Sequence, residues 1–318
     1  MSFSSEVKEE LSGRYSKSRH CNIAEIAAIM SMCGHIVVSQ FDRYAIRIST
    51  ENLPVARKYF TLLKKTFNID TEISIRYHAY IKKARTYTIV VKDHEDALRL
   101  IQAVKLMDEN GELGEKLSVT NQLILMKDCC KKAYLRGAFL AAGSITDPNR
   151  FYHFEISCAT MPKALQLQAL MLHFQLDAKI VERKKHFVVY IKEGDAIVNI
   201  LSLMEAPVAL MKLENIRILK DMRNSVNRKV NCETANLNKT VKTAYKQIED
   251  IRMIEQYRGL QSLPENLRQM AEIRLENPEA SLVELGKILN PPVGKSGVNH
   301  RLRRLSEIAG DIRSRNQF

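Results

Sequence analysis

At 318 residues the chain exceeds what one hydrophobic core usually organises, so about two domains are expected. An apolar fraction of 45% with few Gly and Pro excludes a largely disordered protein. Forty-nine Lys and Arg against 36 Asp and Glu give a net charge of +13, which favours a polyanionic partner such as nucleic acid.

The first segment, "MSFSSEVKEELSGR", lacks an apolar signal core and reads as a capped amphipathic helix within residues 1–19. The longest apolar stretch, residues 23–38, is interrupted by Glu25 and His35 and is too short and polar to span a bilayer. A cytoplasmic protein without membrane contact is therefore expected. Asn22 followed three residues later by Glu25 predicts a capping box opening a helix that ends near Gly34. "HIVVS" and "YAIRIST" alternate as strands; residues 53–66 read as a helix with Pro54 in its first turn. "TEISIRY" and "TYTIVVK" are two more strands, and "DHEDALRLIQAVKLM" a further helix, so the order is αββαββα.

The pattern then recurs. A helix over 129–142 ends at Gly143, "FYHFEISC" follows a turn at Asp147-Pro148, and a helix, two strands and a last helix follow. Gly34 and Gly143 lie 109 residues apart, a period that fits duplication of a small α+β unit and is far too long for a solenoid. One pseudo-two-fold domain is expected over 20–205, with halves 20–110 and 125–205. The small residues of "AYLRGAFLAAGS" (133–144) suit two such helices crossing at close approach.

Cysteines at 21, 33, 129, 130, 158 and 232 show no C-x-x-C spacing, and no H-x-x-x-H pair occurs. Reduced, mostly buried thiols are expected, with neither a zinc site, a disulfide framework nor any cofactor.

From about 207 the pattern becomes helical: a linker over 206–235, then a domain over 236–318. Two heptad-like stretches flank "RNSVNRK", which is polar enough to be a connector or a frayed helix end. Its Asn and Arg suit phosphate contacts or domain pinning equally. Pro264 opens a helix, Ser281 and Glu284 form a capping box for a second, "NPPVGK" is a turn, and Ser296 caps a third. Three such helices fit a helix-turn-helix, although the turn is longer than its commonest form. Val298, Leu302, Leu305 and Ala309 form the packing stripe of the third helix. Ser296, Asn299, His300 and Arg303 lie broadly opposite. No Asp or Glu occurs from Leu285 to Ser306, while Lys287, Lys295, Arg301, Arg303 and Arg304 fall inside, as a helix between rows of phosphates requires. Arg303 suits a guanine edge and Asn299 an adenine; Lys295, Arg301 and Arg304 suit phosphates.

The helices "IAAIMSMCG" and "LRGAFLAAG" resemble the paired motifs of LAGLIDADG homing endonucleases. With "RNSVNRKVNCETAN" and "SLVELGKILNPPVGKSGVNHRLRRL", nearly the whole chain resembles the WhiA family of bacterial sporulation and cell-division regulators. The nuclease resemblance implies a divalent metal held by an acid just before each motif's last glycine. Cys33 and Ala142 stand there, so no nuclease activity is expected. The same resemblance implies a saddle whose strands meet DNA, with Arg43, Arg47, Arg76, Lys82, Lys83, Arg85, Arg183, Lys184 and Lys185 as candidates. A solvated hairpin surface carries the same residues, so charge alone does not decide. The resemblance as a whole implies an α+β fold with a duplicated LAGLIDADG-like domain and a C-terminal helix-turn-helix. It further implies a nucleoid-associated regulator of transcription, cell division and chromosome segregation that binds double-stranded DNA. Two alternatives remain: docking of a partner regulator or RNA polymerase by the saddle, and a nuclease using another acidic pair.

Overall fold

In the computed structural model, residues 2–39, 43–77, 85–107 and 119–315 are described. They form two compact units, Met1–Lys220 and Asp221–Phe318.

The first unit opens with α1 (Phe3–Ser12), whose Ser2 side chain accepts a hydrogen bond from the Ser5 amide and whose Phe3, Val7 and Leu11 are buried. Two copies of one pattern follow. The first is α2 (Arg19–Cys33), β1 (Gly34–Val38), β2 (Tyr44–Thr50), α3 (Leu53–Phe67), β3 (Glu72–Tyr77), β4 (Arg85–Val91) and α4 (His94–Ala103). The second is α5 (Asp128–Ala142), β5 (Gly143–Ile145), β6 (Phe154–Cys158), α6 (Met161–His173), β7 (Lys179–Arg183), β8 (His186–Ile191) and α7 (Gly194–Leu203). Each copy has a four-stranded antiparallel sheet, ordered β1-β2-β4-β3 and β5-β6-β8-β7. The duplicated αββαββα order read from the pattern is thus present. The strand β5, only three residues long, carries too little alternation to be read locally.

Strand alternation sets which face is buried. On β2, Ile46, Ile48 and Thr50 turn to the helices while Arg47 and Ser49 stay exposed. Packing between α2 and α5 depends on small residues at equivalent repeat positions. A Cβ added at Gly137 would come within 2.7 Å of the Glu25 carbonyl and 2.9 Å of the Ala28 Cβ, so only glycine admits this approach.

Glu25 does not form a capping box. The helix begins earlier, at Arg19, and Asn22 lies inside it. The Glu25 carboxylate is instead wholly buried and accepts from Arg136 Nε at 3.1 Å and Nη2 at 3.4 Å across the helix pair. The Lys58 amine on α3 lies 3.2 Å from the same carboxylate and donates to the Leu11 carbonyl at 3.2 Å. Burial draws this amine below its ordinary range, while Glu25 opposes the shift. Arg136 Nη1 completes the network on the Met204 carbonyl at 3.3 Å and Glu205 at 3.0 Å. Four helices and the end of α7 thereby meet at one carboxylate.

Helix α8 (Pro207–Arg258) is a single element of 52 residues. Its first amides, Val208 and Ala209, donate to the Glu10 carboxylate of α1 at 2.8 and 2.9 Å, a side-chain cap reached from far along the chain. "RNSVNRK" is continuous helix and not a frayed end. Between 208 and 258 there is no Pro or Gly, and polarity alone does not interrupt an α-helix.

In the second unit, α9 (Glu265–Glu276), α10 (Leu282–Ile288) and α11 (Lys295–Arg315) enclose a core with Ile251 and Ile254 of α8. Its centre is Met270, Leu285, Val298, Leu302 and Leu305. The Ser281–Glu284 capping box is formed in both directions. Ser296 does not cap α11: the helix starts at Lys295 and the Val298 amide donates to the Gly294 carbonyl at 3.1 Å, so Ser296 lies in the first turn. The long turn returns against α10, where the Val293 amide donates to the Gly286 carbonyl at 2.9 Å. A Cβ on Gly286 would lie 2.1 Å from the Val293 carbonyl.

Arg136→Ala is expected to destabilise the protein by about 3–5 kcal/mol in urea unfolding, because it strips the guanidinium from a buried carboxylate. A loss under about 1 kcal/mol would show that Lys58 suffices.

Candidate nucleic-acid interface

Four surfaces, the second sheet among them, carry the residues singled out from the sequence. The first lies where α2 and α5 end together. Cys33 is half-buried and its thiol donates to the Ile29 carbonyl at 3.3 Å; burial pushes it up to about 12. Lys8 of α1 faces it electrostatically, its own amine drawn down to about 8 by burial. Lys163 of α6 donates to the Ser31 carbonyl. A protonated thiol, the methyl of Ala142 and two amines do not fit a hard divalent cation, which takes oxygen ligands.

The second surface is the outward face of the first sheet. Register pairs Arg47 with Val90, Ser49 with Thr88, Ser74 with Thr88 and Arg76 with Thr86, so all share one face. With Glu72 and Lys92 these residues line one concavity. Lys92 pairs with Glu72 at 2.6 Å. Arg43 is exposed just before β2. Arg85 belongs elsewhere. Its register with Tyr77 puts it on the opposite face from Arg47 and Arg76, and its guanidinium lies 5.2 Å from the Tyr77 ring centre. Lys82 and Lys83 fall outside the described residues. The sequence reading overlooked Ser49, Ser74, Thr86, Thr88 and Lys92; the signal was their period-two alternation with the Ile, Tyr and Val residues of the opposite face.

The second sheet is unlike the first. Its outward face mixes Val181, the buried Val188 and Tyr190 with Ser157, Lys179 and His186, and Glu155 is held there by His153 at 2.9 Å and Arg183 at 3.4 Å. Its positive charge concentrates at the β7–β8 turn. Lys184 and Lys185 there both have positive φ, 46° and 70°, a conformation that favours Asn-Gly and costs a lysine strain.

The fourth surface is α11. Lys295, Ser296, Asn299, His300, Arg303 and Arg304 are exposed on one side, and Val298, Leu302, Leu305 and Ala309 are buried on the other. Lys287 is exposed at the end of α10. Arg301 is half-buried, its guanidinium 3.5 Å from the Asn266 carbonyl, so it borders the exposed face. Glu307 holds Arg304 at 2.8 Å and Arg303 at 3.6 Å on the helix surface. These exposed pairs are weak enough for phosphate or a base edge to displace.

Sequence models of three domains match in chain order: the WhiA N-terminal LAGLIDADG-like domain over 19–107, the WhiA LAGLIDADG-like domain over 131–223 and the WhiA C-terminal HTH domain over 226–309. The chain belongs to the WhiA family. A WhiA relative from Lachnoclostridium phytofermentans, named a probable cell division protein, is 52% identical over 98% of this chain and 100% of its own. One from Alkaliphilus oremlandii, named likewise, is 47% identical over 97% of each. The crystal structure of full-length DUF199/WhiA from Thermatoga maritima matches 98% of this chain and 99% of its own, with a TM-score of 0.60 and 28% identity. The WhiA assignment thus covers both the duplicated α+β unit and the helix-turn-helix. Among the described residues no helix is long and apolar enough to cross a membrane.

The strained WhiA-family turn gives a test in which stability and binding move oppositely. Lys184→Asn with Lys185→Gly is expected to add about 1–2 kcal/mol of stability in urea. DNA affinity should fall, with the salt slope reduced by up to roughly two. Unchanged binding would leave the turn a solvated surface.

Proposed function

We propose that this chain is a DNA-binding regulator that does not cut DNA and acts in cell division, through transcription and chromosome segregation. The observation that carries this reading is the two-sided α11. An apolar stripe anchors it in a helix-turn-helix, and its other side offers Lys295, Ser296, Asn299, His300, Arg303 and Arg304. Such a helix suits the major groove, with Arg303 and Asn299 at base edges and Lys287, Lys295, Arg301 and Arg304 on phosphates. The place in cell division rests on the names of the relatives. It implies work in the cytoplasm at the nucleoid.

The first sheet is the second DNA surface in this reading. Its Ser and Thr hydroxyls between Arg47, Arg76 and Lys92 suit a β-sheet mode of groove contact. Absence of catalysis follows from the donor set at Cys33 and Ala142, which offers no carboxylate for a cation against the scissile phosphate. A second reading has the duplicated domain dock a protein, either a partner regulator or RNA polymerase. The mixed outward face of the second sheet, where Val181 and Tyr190 lie beside the Glu155–Arg183 pair, favours it.

Fluorescence anisotropy with the full chain, on sheared genomic DNA and on random duplex over a salt series, separates these readings. Lys295→Ala should weaken all duplexes alike and reduce the salt slope by roughly one; Arg303→Ala should cost about 1–3 kcal/mol on preferred sequence only. Arg47→Gln with Arg76→Gln should reduce the slope by roughly two if the sheet meets phosphates. An unchanged slope assigns that face to a protein partner. Supercoiled DNA should stay intact with Mg²⁺ present, and cleavage would overturn the non-catalytic reading.

A further inference from the structure

At the ends of α2 and α5 remote from Cys33 and Ala142, four side chains converge. His20 and Cys21 stand in the first turn of α2, and Cys129 and Cys130 in the first turn of α5. Each offers one ligand atom, and all four atoms lie within 4.8 Å of one another. His20 Nδ1 is 3.2 Å from Cys130 Sγ, 3.3 Å from Cys21 Sγ and 4.0 Å from Cys129 Sγ. Tetrahedral zinc with ordinary bond lengths separates sulfur from sulfur by about 3.8 Å and sulfur from nitrogen by about 3.6 Å. The three nitrogen–sulfur distances bracket about 3.6 Å, and every sulfur–sulfur distance falls within 4.8 Å. Cys21 and Cys130 are each 4% exposed, whereas His20 and Cys129 reach solvent, so the cluster has a buried floor and an open entry.

We infer that His20, Cys21, Cys129 and Cys130 form a structural zinc site that staples the two halves of the duplicated domain. Three thiolates with one imidazole make a closed four-ligand set of the kind structural zinc takes, and soft sulfur selects against Mg²⁺ and Ca²⁺. Both dipeptides sit at helix N-termini, where the backbone amides and helix dipole favour the thiolates that remain when binding displaces the thiol protons. The pseudo-symmetry explains why two adjacent pairs suffice. Cys21 and Cys130 are 109 residues apart, as are His20 and Cys129, so the repeat axis brings equivalent positions together. No C-x-x-C spacing is required when each half supplies two neighbouring ligands. The site is about 18 Å along α2 from Cys33, so it is distinct from the positions a nuclease would use. It does not depend on the DNA-binding reading.

The full chain, purified under reducing and anaerobic conditions, should carry near-equimolar zinc by elemental mass spectrometry. Replacement by Co²⁺ should produce the thiolate charge-transfer band and the intense visible bands of tetrahedral coordination. His20→Ala and Cys129→Ser alter exposed residues and should keep the fold by circular dichroism. Each should weaken Zn²⁺, in competition with a chromophoric chelator, by more than the roughly 10- to 100-fold that loss of an outer-shell partner costs. Chelation should lower the melting temperature of the wild type and not that of these variants. A reduced, cooperatively folded chain that holds no zinc and gives no tetrahedral spectrum with excess Co²⁺ would overturn the proposal. So would variants that bind Zn²⁺ as the wild type does, or a Cys21–Cys130 disulfide in the anaerobic preparation.

Discussion

The pairing of Arg136 with Glu25 is the interaction on which the duplicated unit turns. It crosses the α2–α5 contact, takes in Lys58 of α3 and reaches the Leu11 and Met204 carbonyls, so α1, α3 and the end of α7 are positioned by the same carboxylate. Buried ion pairs contribute little net stability when compared with apolar substitutes, yet they penalise every arrangement that leaves one charge unpaired. Here that penalty selects one registry between two helices whose small residues would otherwise allow sliding. The network is also one-sided. Positions 109 residues from Glu25 and Arg136 are Tyr134 and Ala27, so the two halves share a backbone pattern and differ in the charges that lock it.

The same asymmetry extends to the surfaces. The first sheet presents hydroxyls and basic groups beside a Glu72–Lys92 pair, while the second mixes Val181 and Tyr190 with Lys179 and a Glu155–Arg183 pair. Where the two helices end, the buried Lys8 stands near Cys33 and Lys163 donates to the Ser31 carbonyl. On the proposed reading, the first half of the duplicated scaffold meets nucleic acid and the second is left for a different partner.

Much of this architecture was legible from local pattern. Alternation on β2 and β4, Pro54 at the start of α3 and the Ser281–Glu284 capping box each reflect interactions between residues a few positions apart, and spacing reports those well. What spacing misreported were long-range partners. Glu25 lies three residues after Asn22, as a capping box requires, but its partner is Arg136, 111 residues on. Arg85 looks like one more basic residue near a hairpin, yet register turns it to the opposite face from Arg47. The polar stretch in α8 has the composition of an irregular connector, yet no Pro or Gly interrupts it and it is helical throughout. The His–Cys cluster could have been found only by superposing the two repeats, since neither dipeptide is a metal motif alone.

The central claim is that the first sheet of the duplicated unit meets DNA, and photocrosslinking tests it most directly. A photoreactive residue placed at Ser74, on the outward face of β3, is compared in the full chain with one at Lys179, on the outward face of β7, in the presence of sheared genomic DNA. The account expects a DNA adduct from position 74 and a much weaker one from position 179. Adducts confined to protein at position 74, while a probe at Asn299 still captures DNA, would contradict it and leave the helix-turn-helix as the sole DNA-binding surface.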